Sequence, residues 1–406
     1  AELVDHGTLL PRHGRLDLSV VIATAPLITA VDTALRRARE KTAAIDTAGL
    51  VPGLARAVAD INDRLDRLGR LTSAAAHGAR VLPAILGADG PRDYLLLFQN
   101  LAEVRATGGI AGAYALVRAD QGNIRIVEQG TAGTDLRAFE RPVLTLDPAM
   151  ASLYTDRLGR FPADVNLTPH FPTVAALARE MYRRRTGTTV DGVLATDPVA
   201  LSYMLDGTSG LDVPGGPTLT AQNAARVRLS EVYLRPPGRQ DSGPDDDSRS
   251  TDRYLTAVAA AAFSALTRDL SEPTAVIRGL ARAIDERRML AWSAHPNEQD
   301  AIAGTLLGGV MPLTDGDRPT VGLFLNDGSG AKLGYYLTRA ADLAVTGCRS
   351  DGRRELRLTV RLGSHVPKTG LPPQVLGLGL AGDPYTIRTN VLLFSPAGGH
   401  VVDARI

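Results

Sequence analysis

Several residue types are scarce in this chain of 406 residues, and each shortage excludes a class of protein. The single cysteine, Cys348, excludes an intrachain disulfide framework and a cysteine-based zinc cage. Lysine occurs only three times, and the 45 basic residues balance 44 acidic ones, so the formal net charge is +1. This balance argues against nucleic acid as a partner. The remaining bias toward arginine, alanine and glycine is typical of a GC-rich bacterial genome.

The short signatures of common hydrolases and nucleotide-binding enzymes are also missing. The sequence has no G-x-S-x-G elbow, no G-x-x-x-x-G-K-[ST] phosphate loop and no H-E-x-x-H pair. Its seven histidines are scattered, without a pair at the helical spacing of metal ligands. Serine–histidine hydrolases and metalloproteases are therefore disfavoured.

Long apolar runs are missing as well. A membrane-spanning helix needs roughly 18 to 20 apolar residues, and the closest segment, residues 20–31, is interrupted by Thr24, Pro26 and Thr29. The chain begins at Ala1 without a methionine, so we interpret it as a processed or trimmed piece from which an anchor can be missing.

The spacing of apolar residues changes along the chain and predicts an α+β protein of three domains. Residues 1–90 predict a helical hairpin, because apolar residues recur there every three or four positions, most clearly at 54–71. Residues 91–310 alternate strand and helix patterns, which predicts a central α/β domain. Residues 311–406 alternate polar and apolar positions, which predicts an immunoglobulin-like β-sandwich.

The most informative segment follows a predicted buried strand that begins at Tyr94. This strand runs into the polar sequence QNLAEVRATGG at 99–109. Polar groups at the end of a buried strand are where α/β proteins tend to place a ligand. Glycines let backbone N–H groups approach an anion, and Arg105 has the planar guanidinium that suits phosphate. The alternative is an ordinary hairpin in which Glu103 and Arg105 form a surface ion pair.

Aspartates supply the other candidate chemistry. Asp191 and Asp197 flank a short predicted strand; Asp197, followed by a proline, is explained as a helix cap, whereas the role of Asp191 stays open. Residues 236–250 are rich in glycine, proline, serine and aspartate, which predicts a solvated surface loop. The aspartate run at 245–247 within it could attract a divalent cation.

Five blocks of sequence share one family resemblance. They are QN-x-x-E-x-R-x-TGG at 99–109, PHFPT at 169–173, VDGV with DPVAL at 190–201, LTA-x-N at 219–223 and GSGAKLGYYL at 328–337. Together they resemble the bacterial family called domain of unknown function 4012, over nearly the whole chain. The resemblance implies a cell-envelope protein of Gram-positive bacteria, tethered by an N-terminal membrane helix.

The order of elements is also similar to that of the LytR-CpsA-Psr transferases, which move a glycopolymer from a polyprenyl-phosphate carrier onto the cell wall. This similarity implies a LytR-CpsA-Psr-like central domain in which Arg105, Arg249 and Arg253 neutralise a lipid-linked pyrophosphate. Glu103 or Asp191 would then hold Mg²⁺ or act as the base. The residues expected to contact the ligand are Asn100, Thr107, Gly108, Gly109, Asn223, Arg249 and Arg253.

The expected function is therefore that of an extracytoplasmic, membrane-anchored glycopolymer transferase acting on a lipid-linked glycan. Two alternatives stay open. One is a non-catalytic envelope scaffold that binds glycan, which carboxylates paired only with arginines would favour. The other is a glycoside hydrolase in which Glu103 and Asp191 face each other across a groove. A deep apolar groove beside the arginines would favour the transferase.

Overall fold

The computed structural model describes residues 15–213, 217–227, 257–265, 270, 272–312, 319–377, 379 and 382–406. These residues form a mixed α+β protein with two long N-terminal helices and a central mixed sheet. The predicted loop at 236–250, its aspartate run, Arg249 and Arg253 lie outside the described residues.

Helices α1 (Leu18–Ala43) and α2 (Pro52–Ile85) form the predicted helical hairpin. Arg39 on α1 pairs with Asp66 on α2 at 2.7 Å. By length and composition α1 could cross a membrane: its most apolar 18 residues have a mean hydropathy of 1.8, and 17% of them are buried. A signal sequence would have the same features. Helix α1 is therefore compatible with an N-terminal membrane anchor.

The threonines of α1 make its apolar segment look shorter in the sequence than it is in the structure. The Thr24 hydroxyl donates to the Val20 carbonyl at 2.9 Å, and the Thr29 hydroxyl donates to the Ala25 carbonyl at 2.9 Å. Because these hydroxyls are satisfied by the preceding turn, they interrupt the apolar pattern less than their residue types suggest.

Five strands form the central sheet in the order β3-β2-β1-β4-β5. Their bounds are β1 Arg92–Arg105, β2 Gly108–Asp120, β3 Asn123–Thr131, β4 Gly192–Thr196 and β5 Leu290–Ser293. The β1–β4 pair is parallel and the other three pairs are antiparallel. Phe98 lies opposite Thr196, so β4 ends beside the middle of β1, and the polar segment of β1 continues past it.

The core lies between this sheet and α5 (Phe171–Thr186). The spacing of the apolar residues on α5 places Phe171, Val174 and Leu177 on one buried face. The Tyr114 and Tyr182 hydroxyls each donate to one carboxylate oxygen of Glu128 at 3.1 Å, which satisfies both buried tyrosines.

Short helices fill the connections. They are a π-helix at Ala132–Leu136, α3 at Pro148–Tyr154, α4 at Arg157–Arg160, a 3₁₀ helix at Pro162–Leu167, α6 at Pro198–Leu205, α7 at Ala224–Arg226, α8 at Pro273–Asp285 and α9 at Pro296–Ala303. Residues 257–265 are also helical.

The C-terminal region contains the predicted strands but does not confirm the predicted sandwich. β6 (Gly322–Asp327) pairs with β9 (Thr389–Phe394), and β7 (Leu337–Cys348) pairs with β8 (Arg354–Ser364), giving two separate two-stranded sheets. A 3₁₀ helix at Leu333–Tyr336 and α10 at Pro373–Leu376 lie between them in the sequence. The β7–β8 hairpin is exposed along most of its length. Alternation predicts a strand, but it does not say what covers the apolar side.

One buried side chain joins β6 to the central sheet. The Asn326 side-chain oxygen accepts a hydrogen bond from the Ala106 amide at 2.8 Å, and its amide group donates to the Leu167 carbonyl at 2.9 Å. Asn326 is 3% exposed. It therefore satisfies two backbone groups that packing has withdrawn from water.

Replacing Asn326 by alanine should lower the free energy of unfolding by about 2 to 4 kcal/mol, because both backbone groups lose their partner. The control is Asn390→Ala: Asn390 faces Asn326 across the β6–β9 pair but is exposed, and its loss should change stability by less than about 0.5 kcal/mol. Urea denaturation measures both. Equal stability of the two variants would contradict the proposed link.

His170 at the start of α5 links stability to pH. Its ring Nδ1 accepts a hydrogen bond from the Met311 amide at 3.1 Å, and burial lowers the pKa of the ring from its ordinary value. The unfolded chain therefore binds a proton at a higher pH than the folded chain does. The free energy of unfolding should fall as the pH drops through about 6.5 and below.

In His170→Asn this loss of stability between about pH 7.5 and about pH 5 should be smaller than in the wild type. His400→Asn, which changes an exposed histidine, should keep the wild-type dependence. Denaturation midpoints across the pH range measure the difference, and parallel curves for wild type and His170→Asn would refute the link.

Candidate functional site

A cleft of about 510 Å³ opens where the end of β1 meets the C-terminal region. The central sheet contributes Leu101, residues 104–108 and Asp197, the residue that follows β4. Residues 286–288, between α8 and β5, form one side. The facing wall comes from residues 323–325 of β6 and from the base of the β7–β8 hairpin. The cleft thus lies beside the carboxyl end of a parallel strand pair, a position that α/β proteins use for ligands.

Four arginines and two carboxylates line this cleft: Arg105, Arg287, Arg288, Arg339, Asp197 and Glu286. Arg288 engages both carboxylates, with Nη1 at 3.0 Å from Asp197 and Nε at 2.6 Å from Glu286. The hydrogen bond from Arg288, with others from Tyr203 and Arg282, lowers the pKa of Glu286 to about 2. Among the described residues, none pairs with the side chain of Arg287 or Arg339. Within the described part of the chain, the cleft therefore carries two guanidinium groups that no carboxylate neutralises.

Arg287 occupies a backbone conformation that usually belongs to glycine. Its φ is +54°, and it follows the last turn of α8. The Arg287 amide donates to the Ile284 carbonyl at 2.9 Å and the Arg288 amide donates to the Ala283 carbonyl at 2.7 Å, which completes a Schellman termination. A bulky residue at the left-handed position stores local strain, and such outliers cluster at functional sites.

Arg105, the leading candidate from the sequence, is mainly held by the protein itself. It is 8% exposed, and its guanidinium contacts Asp164 at 3.0 Å and the Val104 carbonyl at 3.0 Å. Asp164 also pairs with Arg157 at 2.6 Å. The Nε atom of Arg105 is buried without a described partner. The alternative of a surface pair between Glu103 and Arg105 is therefore wrong.

The glycines of the polar segment serve the contact between β1 and β2. A Cβ atom at Gly109 would overlap the Asn100 carbonyl, and one at Gly108 would overlap the Gln99 side chain. The Thr107 hydroxyl accepts a hydrogen bond from the side-chain amide of Gln99 at 2.9 Å. Thr107 and Gly108 do line the cleft. In this structure the glycines thus make room for the Asn100 backbone and the Gln99 side chain.

The two predicted catalytic carboxylates lie apart. Glu103 contacts Lys332 at 3.4 Å and accepts from Asn100 at 3.3 Å, and neither Glu103 nor Asn100 is among the residues that line the cleft. Asp191 lies at the opposite end of the sheet, where it contacts His295 at 2.8 Å and Arg92 at 3.1 Å and accepts from the Asp93 amide.

Ten residues of β1 separate Asp93 from Glu103, on the order of 30 Å of strand. A two-carboxylate hydrolase needs its groups within about 10 Å, so the hydrolase alternative is incorrect for this pair. The described residues contain no cluster of three or more histidine, cysteine or acidic side chains placed to hold a metal. That Glu103 or Asp191 holds Mg²⁺ stays a prediction.

The side chains of two other residues singled out in the sequence, Asn223 and Asp197, bond to nearby backbone groups. Asn223 accepts from the Thr220 amide at 2.8 Å and donates to the Thr218 carbonyl at 2.9 Å, outside the cleft. Asp197 caps α6 as predicted, accepting from the Val199 and Ala200 amides at 2.8 Å each.

Arg287, Arg288 and Arg339 line the cleft but were not predicted from the sequence. A signal existed for Arg287: helix α8 ends without the glycine or asparagine that usually follows a helix. Arg339 is one of several arginines in alternating strand positions, and nothing local distinguishes it.

Arg105→Ala should lower the free energy of unfolding by about 3 to 5 kcal/mol, because it leaves Asp164 buried with one partner fewer. Arg287→Ala should change stability by less than about 0.5 kcal/mol, since its side chain is exposed. Chemical denaturation compares the two, and a wild-type stability for Arg105→Ala would show that the buried pair is unimportant for folding.

Comparison with known proteins gives one family and two remote structural likenesses. Residues 89–233 match the family described as protein of unknown function (DUF4012). The transcriptional regulator yvhJ from Bacillus subtilis is 10% identical, with a TM-score of 0.27 over 57% of this chain and 85% of that one. The Lin1025 protein from Listeria innocua is 12% identical, with a TM-score of 0.24 over 66% of this chain and 90% of that one. Scores this low support no argument about fold or activity.

None of the curated proteins matches the chain. The family resemblance seen in the sequence blocks is confirmed for residues 89–233: this part of the chain, which contributes residues 104–108 and Asp197 to the cleft, matches the DUF4012 family of unknown function.

Proposed function

We propose that the cleft binds the phosphate or pyrophosphate of a lipid-linked envelope glycan, and that the protein transfers this glycan to an acceptor. The observation that carries the proposal is that Arg287 and Arg339, with which no described residue pairs, line one cleft together with apolar residues of β6 and of the β7–β8 hairpin. Guanidinium groups match phosphate in charge and geometry. An apolar wall beside them suits a ligand that joins an anion to a hydrocarbon.

The proposed reaction requires little covalent chemistry from the side chains of the protein. An acceptor hydroxyl oxygen would form a bond to the glycan-bearing phosphorus, and the bond from that phosphorus to the carrier phosphate would break. The leaving carrier phosphate can take up the proton of the hydroxyl, since its second pKa is near 6. Positioning and neutralisation of charge supply most of the rate in phosphoryl transfer, and arginines provide both.

A non-catalytic glycan-binding scaffold is the second candidate. It is favoured by the carboxylates of the cleft, because Asp197 and Glu286 are both engaged by Arg288. The predicted catalytic carboxylates, Glu103 and Asp191, do not line the cleft either. The two candidates share the ligand and differ in whether the phosphorus–oxygen bond breaks.

Helix α1 supports the proposed place of this activity. Ile22, Leu27 and Val31 are more than half exposed on a helix apolar enough to cross a membrane. An extracytoplasmic protein anchored in this way would meet its lipid-linked substrate at the membrane surface.

The first test is binding of inorganic pyrophosphate by calorimetry. Arg287→Ala and Arg339→Ala should each weaken binding by about tenfold or more, since each removes charge-assisted hydrogen bonds worth about 1.5 to 3 kcal/mol. Binding should also weaken as salt is added. Arg353→Ala, at the exposed tip of the hairpin, is the matched control and should bind as the wild type does.

Turnover separates the two candidates. The wild type is incubated with a polyprenyl-pyrophosphate-linked glycan and an acceptor polysaccharide, and release of polyprenyl phosphate is followed. Release that is lost in Arg287→Ala supports the transferase, whereas binding without release supports the scaffold. Equal pyrophosphate affinity in all four proteins would refute both.

A further inference from the structure

One face of the β7–β8 hairpin is apolar from the cleft almost to the tip. The strand register places Ala341 opposite Val360, Leu343 opposite Leu358 and Val345 opposite Leu356. Because side chains alternate along a strand, these six residues share one face. They form three consecutive apolar cross-strand pairs.

The outer part of this face is open to solvent. Leu343 is 53% exposed, Val345 57% and Leu356 37%. The opposite face is polar: Asp342 lies opposite Thr359, and Arg361 forms an ion pair with Asp342. Soluble proteins seldom leave a contiguous apolar surface of this kind uncovered unless it binds something.

The apolar face is continuous with the cleft. Ala341 and Val360 line the cleft and also begin the face. Arg339, which has no ion-pair partner among the described residues, lies at the cleft end of the same face, opposite Leu362. From Arg339 to Val345 the face runs roughly 20 Å at the rise of an extended strand. A cationic end is thus followed directly by a long apolar track.

We propose that this face holds the hydrocarbon chain of the ligand whose phosphate lies in the cleft, so that the ligand is a long-chain phosphate ester. The inference rests on the proposed function, since it takes the arginines as the phosphate site. It adds where the chain lies and that chain length sets affinity. Burial of each further methylene against the face strengthens binding.

Charge selects this occupant over a second copy of the protein. Residues 337–364 carry six arginines and three acidic residues, a net charge of +3. Two hairpins that each carry this net charge repel each other, whereas an anionic amphiphile is attracted to the same surface. The position of Arg339 at one end of the track also matches an anionic head with an apolar tail.

The test compares dimethylallyl, geranyl and farnesyl phosphate by calorimetry with the full chain, below the concentrations at which these esters aggregate. In the wild type the affinity should rise by on the order of tenfold for each isoprene unit. In Leu343→Ser/Leu358→Ser the increase with chain length should be lost, while dimethylallyl phosphate binds as before. Ala344→Ser/Thr359→Ser makes the same kind of change on the polar face and should keep the increase.

The opposing outcomes are distinct. The proposed track would be overturned if the affinity still rose with chain length in Leu343→Ser/Leu358→Ser. It would also be overturned if the wild type bound all three esters with equal affinity. Sedimentation showing a wild-type dimer that the same double variant dissociates would assign the face to a second copy and also overturn it. If no ester binds, dimethylallyl phosphate included, the proposed function itself has failed. Circular dichroism confirms that both double variants fold.

Discussion

The buried ion pair between Arg105 and Asp164 fixes the end of β1, and the cleft depends on that position. Arg105 is the last residue of β1, and Asp164 lies in the 3₁₀ helix that packs against β2. With the strand end held there, the Ala106 amide meets Asn326 and the C-terminal region can dock. A buried pair of this kind contributes modest net stability, but losing one partner is expensive. Its role is to fix a geometry.

Local sequence patterns predicted the secondary-structure elements that are determined by interactions between residues close in sequence. The helical hairpin, the Asp197 cap and the alternating strands β7 and β8 follow from capping and periodicity. The β-sandwich was not confirmed, because whether two strand pairs stack is decided by long-range contacts that alternation does not encode. Helix α1 was understated because its threonines bond to their own helix.

At the candidate site, the sequence predicted one part of the cleft lining and missed another. The segment 99–109 does lead into the cleft, yet most of its polar groups bond to one another or to neighbouring elements. The arginines that no described residue pairs with, Arg287 and Arg339, are remote in sequence from that segment. An arginine side chain suits a phosphate and a buried carboxylate equally well, and its partner depends on the tertiary structure. In this protein Arg105 pairs with the carboxylate of Asp164.

The hydrogen bond between Ala106 and Asn326 joins residues 220 positions apart. Chains are synthesised from the amino end, so the 99–109 segment exists long before the β6 wall does. Contacts this distant in sequence close late in folding, after local elements have formed. The cleft is therefore assembled only after β6 has been synthesised. A growing chain that ends before β6 would present the polar end of β1 without its facing wall.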